Sequence, residues 1–120
     1  MKKKEIKERN KIFFAKMYKF LKPFKQEGDR FFYEFKVETK GGILNIKLEK
    51  DDDGTAIYTV YTCFEDLEKV KKNFSKEFLN GINTFSGKWN FHATIESVEP
   101  DIFAECVINF IKSVMVNCIN

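Results

Sequence analysis

Apolar residues recur at helical spacing near the start of the chain. Between Lys4 and about Lys22 they are separated by steps of seven, four, three and four positions, so they follow one face of a helix. The residues of this stripe are Ile6, Phe13, Met17, Phe20 and Phe24. Pro23 and the run Gln26-Glu27-Gly28-Asp29 predict the end of the helix, because proline cannot continue its hydrogen-bond ladder.

Three stretches that read as strands follow the first helix. Residues 30–39 and 43–50 alternate between apolar and polar positions, as a half-buried strand does. Gly41-Gly42 and the run Asp51-Asp52-Asp53-Gly54 separate the stretches and are typical of tight turns. The third stretch, residues 55–64, is apolar on both faces, so we expect it to be the best-covered strand of a meander.

The second half of the chain predicts two more helices and a fourth strand. Thr62-Cys63-Phe64-Glu65 has the form of a capping box, which places a helix start near residue 63, and Asn80-Gly81 is a typical helix stop. Residues 89–96 alternate as a strand, with Ile82 to Phe85 as a candidate pairing partner. Pro100 is favoured at the start of a last helix, residues 100–118.

The predicted fold is a single α+β domain over residues 1–120. Its order is α-β-β-β-α-β-α, with an antiparallel meander sheet, a fourth strand and a cover of helices. A chain of this length fits one hydrophobic core. The order resembles that of the type III secretion chaperones, which have three strands between their first two helices and a long closing helix. This resemblance runs from Ile6 to Cys118 and implies a fold only, because topology does not fix function.

Composition predicts a folded protein of a reducing compartment. Hydrophobic residues make up 43% of the chain and charged residues 32%, which is ordinary globular usage. The three cysteines are an odd number without a Cys-x-x-Cys pair, and no apolar run reads as a secretory signal or a membrane span, so we expect a cytoplasmic protein. The ratio of 19 Lys to 2 Arg points to an AT-rich, low-GC genome.

Positive charge is concentrated at the start of the chain. Residues 1–25 contain ten basic and two acidic residues, a local charge of +8, and the other 95 residues carry −5. At 100° per residue, Lys4, Lys11, Lys19 and Lys22 lie opposite the apolar stripe, so the first helix is predicted to be basic and amphipathic. Such a face contacts acidic proteins, phosphates or anionic lipids, or simply keeps the surface hydrated.

The last helix has a broad apolar face that predicts a second surface. Val107, Ile111, Val114 and Met115 lie on it, and Ile108 and Val116 extend it. This apolar face is wider than one contact with a sheet requires. The additional area is covered either by the other helices or by a partner, including a second copy of the chain in a homodimer. Met115 and Val116 are therefore candidate partner-binding residues.

No motif of catalysis or metal binding is present in the sequence. Phosphate-binding glycine loops, nucleophile elbows and His-Glu-x-x-His are absent, and His92, the single histidine, has no second ligand at a metal-binding spacing. The aspartate run fits a turn better than a calcium loop. Cys63, near the predicted helix start, is either a buried structural thiol or half of a thiol dyad with His92.

These patterns predict a non-enzymatic protein that acts by stoichiometric contact with another protein, as an adaptor, chaperone or inhibitor. Many phage and plasmid products from AT-rich genomes act this way. The expected partner is an acidic protein, with no catalytic residue, metal or cofactor involved. The alternatives are a nucleic-acid-binding protein that uses the same basic helix and a thiol-dependent enzyme. The predicted partner-binding residues are Lys4, Lys11, Lys19, Lys22, Met115 and Val116.

Overall fold

Five antiparallel strands form one sheet in their order along the chain. The structure is a computed structural model that describes residues 2–28, 32–49, 57–82 and 87–117, with the side chains of residues 81 and 82 left aside. The order of the strands in the sheet is β1-β2-β3-β4-β5. Their bounds are β1 Lys25–Gly28, β2 Phe32–Thr39, β3 Gly42–Glu49, β4 Ile57–Phe64 and β5 Lys88–Thr94.

Four helices complete the fold, and two of them cover one face of the sheet. They are α1 Lys3–Leu21, α2 Leu67–Asn73, α3 Lys76–Ile82 and α4 Pro100–Val116. The rings of Phe13 in α1 and Phe103 in α4 lie 5.1 Å and 5.4 Å from the ring of Tyr58 in β4. Phe110 of α4 packs against Trp89 and Phe91 of β5. The α+β class and the predicted meander are therefore confirmed, and the core lies between the sheet and this helical layer.

The first and last helices run side by side in the same direction. Arg9 lies beside Glu99, Lys16 beside Glu105, and the Lys112 ammonium lies 5.7 Å from the centroid of the Phe20 ring. Later positions of α1 thus meet later positions of α4. Both helices bury an apolar stripe, with Met17 and Leu21 of α1 and Val107 and Ile111 of α4 fully enclosed.

The turn between β2 and β3 confirms the predicted Gly41-Gly42 turn and shows why both residues are glycine. Gly42 has φ +149°, which disfavours residues with a side chain. A Cβ added at Gly41 would lie 2.7 Å from Cζ of Phe74 and closer still to Cε2. The Thr39 hydroxyl accepts hydrogen bonds from the Gly41 and Gly42 amides, at 3.2 Å and 3.0 Å. The turn is therefore fixed against the segment after β4.

The predicted capping box is wrong. Thr62 lies within β4, and its hydroxyl donates a hydrogen bond to the Trp89 carbonyl oxygen of β5 at 2.7 Å. The helix begins at Leu67 and is capped by Asp66, whose carboxylate accepts from the Lys69 amide at 3.1 Å. Because the Thr62 hydroxyl bonds to β5, it does not cap the helix as the motif predicts.

The single helix predicted after β4 is two short helices. The chain is extended at Phe74, with φ −120° and ψ 147°, and the Ser75 hydroxyl accepts from the Phe78 amide at 3.2 Å to start α3. The break turns the Phe74 ring into contact with Phe64 of β4. Since α3 extends to Ile82, the predicted stop at Asn80-Gly81 is wrong.

Besides the split of the second helix, the observed order differs from the predicted α-β-β-β-α-β-α by one additional strand, β1. The four-residue β1 pairs with β2 where the sequence predicts only the end of a helix. The aspartate turn at residues 51–54, most of the candidate strand from Ile82 to Phe85, and Cys118 lie outside the described residues.

The prediction for residues 55–64 holds in part: among the described strands, β4 has the most burial, but it is covered by helices on one face only. Tyr58, Val60 and Phe64 of β4 are buried under the helices, whereas Ile57 on the opposite face is 49% exposed. Tyr61 and Cys63 share that opposite face and are only half-buried. Within the described residues, no helix packs over this side, so the sheet has an open face.

Candidate functional site

The lysines predicted to bind a partner lie on the exposed side of α1. Lys4, Lys11, Lys19 and Lys22 are all exposed, on or just after the helix and opposite the buried stripe. Lys4 and Lys22 are separated by 18 positions, which is about 27 Å of helix. Within the described part of the chain, these four ammonium groups form no ion pair. Their charge is therefore not neutralised by any acidic residue that the structure describes.

Two other basic residues of α1 are neutralised within the fold. Arg9 donates a hydrogen bond to the Ile95 carbonyl oxygen at 3.0 Å and lies 3.6 Å from the Glu99 carboxylate. Lys16 pairs with Glu105 of α4 at 3.1 Å. Both lie on the flank of α1 that meets α4. The helix thus has one basic flank that joins it to α4 and one basic face that is exposed.

Apolar side chains are interspersed with the exposed lysines. Ile12 and Tyr18 of α1 are 51% and 37% exposed. At the end of α4, Met115 is 38% and Val116 78% exposed, whereas Ile108 is buried in the core. Part of the broad apolar face predicted on the last helix is therefore packed inside, and Met115 and Val116 of its final turn are exposed.

We call the exposed side of these two helices the α1–α4 surface. It consists of Lys4, Lys11, Lys19, Lys22, Met115 and Val116. Because the helices run in the same direction, Lys19 and Lys22 lie at the same end of the layer as Met115 and Val116, and Lys4 and Lys11 lie towards the other end. The six predicted residues thus share one side of the molecule without forming one compact cluster.

Positive charge is densest at the start of α1. Four lysines and one glutamate line a shallow hollow of about 390 Å³ there, and they are Lys3, Lys4, Lys7, Glu8 and Lys11. Four ammonium groups around one concavity create a positive potential that attracts anions.

The open face of the sheet carries a groove of about 430 Å³ that the sequence did not reveal. Tyr61 of β4 is paired with Lys47 of β3 and Asn90 of β5. Two positions along, Cys63 is paired with Asn45 and Lys88. Antiparallel pairing places the side chains of these six positions on one face. The open-face groove is lined by Phe32, Asn45, Lys47, Tyr61, Thr62, Cys63, Lys88 and Asn90.

A polar network fixes one side of the groove. The Lys36 ammonium donates to the Glu65 carboxylate at 2.9 Å, and Asn45 also contributes to the lowered pKa of Glu65. The hydrogen bond from Lys36 is the main reason that the pKa of Glu65 is lowered, and it also raises the pKa of Lys36. The Oδ1 atom of Asn45 is buried and has no hydrogen-bond partner among the residues that the structure describes.

The thiol dyad considered from the sequence does not form. Cys63 and His92 both lie on the open face, and their strands are neighbours. However, Cys63 is paired with Lys88 and His92 with Thr59, so four residues, about 13 Å, separate the two side chains along the strands. The Cys63 thiol instead donates to the Phe64 carbonyl oxygen at 3.3 Å.

His92 is exposed, and the described residues contain no group of three His, Cys, Asp or Glu side chains arranged to hold a metal ion. None of the helices in that same part of the chain is long and apolar enough to cross a bilayer.

Comparison with known proteins does not place the chain in a family. No family model, curated protein or solved structure matches it. The element order that resembles the type III secretion chaperones also differs in detail, because four strands, not three, separate α1 from α2. The surfaces themselves therefore have to support any functional proposal.

Proposed function

We propose that this protein acts by stoichiometric contact with an acidic protein, which it binds through the α1–α4 surface. The observation that carries the proposal is that Lys4, Lys11, Lys19 and Lys22 are exposed and form no ion pair with the residues that the structure describes. Adaptors, chaperones and inhibitors all work by such contact, and no cofactor or metal takes part in it.

Electrostatic attraction would guide the encounter. Ammonium groups spread over about 27 Å form an extended positive strip, and strips of this kind raise association rates with acidic surfaces. Since each exposed ion pair contributes only about 0.2–1 kcal/mol, four pairs contribute about 0.8–4 kcal/mol. The charge therefore favours acidic partners without supplying the whole affinity.

Apolar contacts would supply the remaining free energy. Ile12, Tyr18, Met115 and Val116 expose apolar atoms on the same side of the molecule. Interfaces gain much of their stability from apolar and aromatic side chains that are buried at the centre, with charged residues at the rim. The arrangement of lysines around exposed apolar side chains fits this pattern.

Nucleic acid binding is the second candidate, and the hollow at the start of α1 favours it. Four lysines around one concavity match the phosphates of a nucleic acid backbone. Two observations favour protein over nucleic acid. The one arginine that α1 contains, Arg9, is engaged with Ile95 and Glu99, and the exposed apolar residues add nothing to phosphate contact.

The test compares two variants of equal net charge. In the first, K4Q/K11Q/K19Q/K22Q, the lysines of the α1–α4 surface are neutralised. In the second, four exposed lysines on the β2–β3 turn, α2 and α3 are neutralised instead, K40Q/K69Q/K72Q/K76Q. A partner is identified by affinity capture from the native host, and its purified complex is then measured by titration calorimetry.

The first variant should bind the partner more weakly by a factor between about 4 and several hundred, which corresponds to about 0.8–4 kcal/mol. The control should stay within about twofold of the wild type, because distant charges are screened by salt. Equal losses in both variants would reduce the effect to net charge and refute the proposed surface. Tight binding of a nucleic acid duplex with a steep inverse salt dependence would favour the second candidate.

A further inference from the structure

We infer that the open-face groove binds a small ligand that combines a planar heteroaromatic ring with an anionic group, and that a nucleoside monophosphate fits this description. The groove lies on the side of the sheet opposite the α1–α4 surface, so this site is separate from the proposed protein contact. Its volume of about 430 Å³ falls within the usual range for small-molecule sites.

The ring of the ligand is recognised by aromatic side chains. The Tyr61 ring lies edge-on to that of Phe32, with 6.0 Å between the centroids. Tyr61 belongs to the central strand of the groove and is half-buried, so part of its surface faces the groove. Stacking of a base on an aromatic side chain contributes about 1–3 kcal/mol.

The anionic group is recognised by Lys88 of β5, and Lys47 of β3 adds positive charge at the opposite corner of the groove. Lys47 lies 5.8 Å from the centroid of Phe32, and Lys88 lies across β4 from Asn45. Neither ammonium forms an ion pair within the described residues. Glu65, an acid near this wall, is held by Lys36. The groove therefore has positive charge available for an anion.

The unpaired oxygen of Asn45 fits an N–H group of the ring. Oδ1 has no hydrogen-bond partner among the described residues, and Asn45 lines the groove, so a ligand bound there can supply the missing donor. A buried acceptor without a partner costs about 1–3 kcal/mol. Lys88 lies two strand spacings from Asn45, about 10 Å, so the ring donor and the anionic group of one ligand are recognised at opposite walls.

A mononucleotide fits the groove better than a nucleic acid strand. The positive side chains that line the groove itself are Lys47 of β3 and Lys88 of β5. Towards β1 the same face carries Glu27, which pairs with Lys25 and Lys36, and Glu34, which lies opposite Lys47 on β3, so positive charge does not continue along the sheet for a phosphate backbone to follow. The charge pattern thus matches one compact anion.

The two described cysteines provide the test. Cys63 lies in the groove, and Cys106 is exposed on α4 on the other side of the molecule. The rate at which iodoacetamide alkylates each thiol is measured by peptide mass spectrometry with increasing AMP. At an AMP concentration ten times its dissociation constant, the rate at Cys63 should fall about tenfold by mass action, and the rate at Cys106 should not change.

Two variants and three other probes make the test decisive. Tyr61→Leu should raise the AMP concentration for half-protection at least about fivefold and Lys88→Gln about 1.5- to 5-fold, and Lys76→Gln on α3 should not change it. Adenosine and inorganic phosphate alone should each protect more weakly than AMP. Absence of protection, equal protection by phosphate, slowing at both cysteines, or an unchanged half-protection value in Lys88→Gln would each overturn the proposal. A single-stranded oligonucleotide that protects more strongly than AMP would overturn it in favour of a nucleic acid site.

Discussion

Gly41→Ala tests whether the β2–β3 turn is held in place by Phe74. Gly41 does not have a positive φ, so alanine can adopt its backbone conformation, and the effect of the change is steric. The new methyl group would lie 2.7 Å from Cζ of Phe74, whose ring is only 2% exposed and is packed between Phe64 and Phe78. Because the ring has nowhere to move, either the turn or the ring must shift.

Overpacking of this kind costs about 1–3 kcal/mol. For 120 residues, an unfolding entropy of about 0.25 kcal/mol/K converts this loss to a decrease in Tm of about 4–12 °C. Thermal unfolding followed by circular dichroism measures the shift, and urea titration gives the free energy of unfolding. The companion variant Phe74→Leu removes the ring that the methyl group would strike.

A double-mutant cycle separates the clash from other effects of the new methyl group. In the Phe74→Leu background the cost of Gly41→Ala should shrink by about 0.5–3 kcal/mol, the usual coupling between residues in contact. An equal cost in both backgrounds would show that Phe74 does not confine the turn. Full stability of Gly41→Ala alone would refute the packing described here.

Two further predictions concern ion pairs. Because the pKa of Glu65 is lowered in the fold, its pair with Lys36 stabilises the protein above the ordinary glutamate pKa of 4.5, and this stabilisation is lost as the pH falls below it. In Lys36→Gln, the free energy of unfolding should therefore decrease less steeply as the solution is acidified. An unchanged acid side of the plot of stability against pH would contradict this. Urea titrations should show that Arg9→Ala lowers the free energy of unfolding by about 1.5–3 kcal/mol, because it removes a charged donor from the Ile95 carbonyl oxygen. Lys16→Ala removes an exposed ion pair and should lower it by at most about 1 kcal/mol. Equal losses would show that the bond to Ile95 is no stronger than a surface pair.

The parts of the fold that the sequence predicts well are those with a periodic pattern over many residues. The stripe of α1 and the alternation in β2, β3 and β5 follow from local spacing, so their bounds were nearly right. β1 has no such signal, because all four residues from Lys25 to Gly28 are exposed and only backbone pairing with β2 defines it. The break at Phe74 preserves apolar spacing and exists because of a tertiary contact with Phe64.

The candidate sites also contain features that local sequence determines and features that only the folded structure determines. Exposure of the four lysines follows from their angle on the helix, which local sequence determines. The pairing of Arg9 and Lys16 with the region around α4 depends on packing between residues more than 80 positions apart. The open-face groove depends on strand register and on a face left open, so Tyr61 and Lys88 became neighbours only in the folded sheet.

The parallel pair formed by α1 and α4 has a consequence for biosynthesis. Phe13 and Phe103, which meet over the sheet with 5.6 Å between their rings, are 90 residues apart in the chain. At ribosomal speeds of about 5–20 residues per second, the first of them is synthesised roughly 5–18 s before the second. During that interval the apolar stripe of the nascent α1 lacks its final cover, so the lysines opposite it are what keep the emerging segment hydrated.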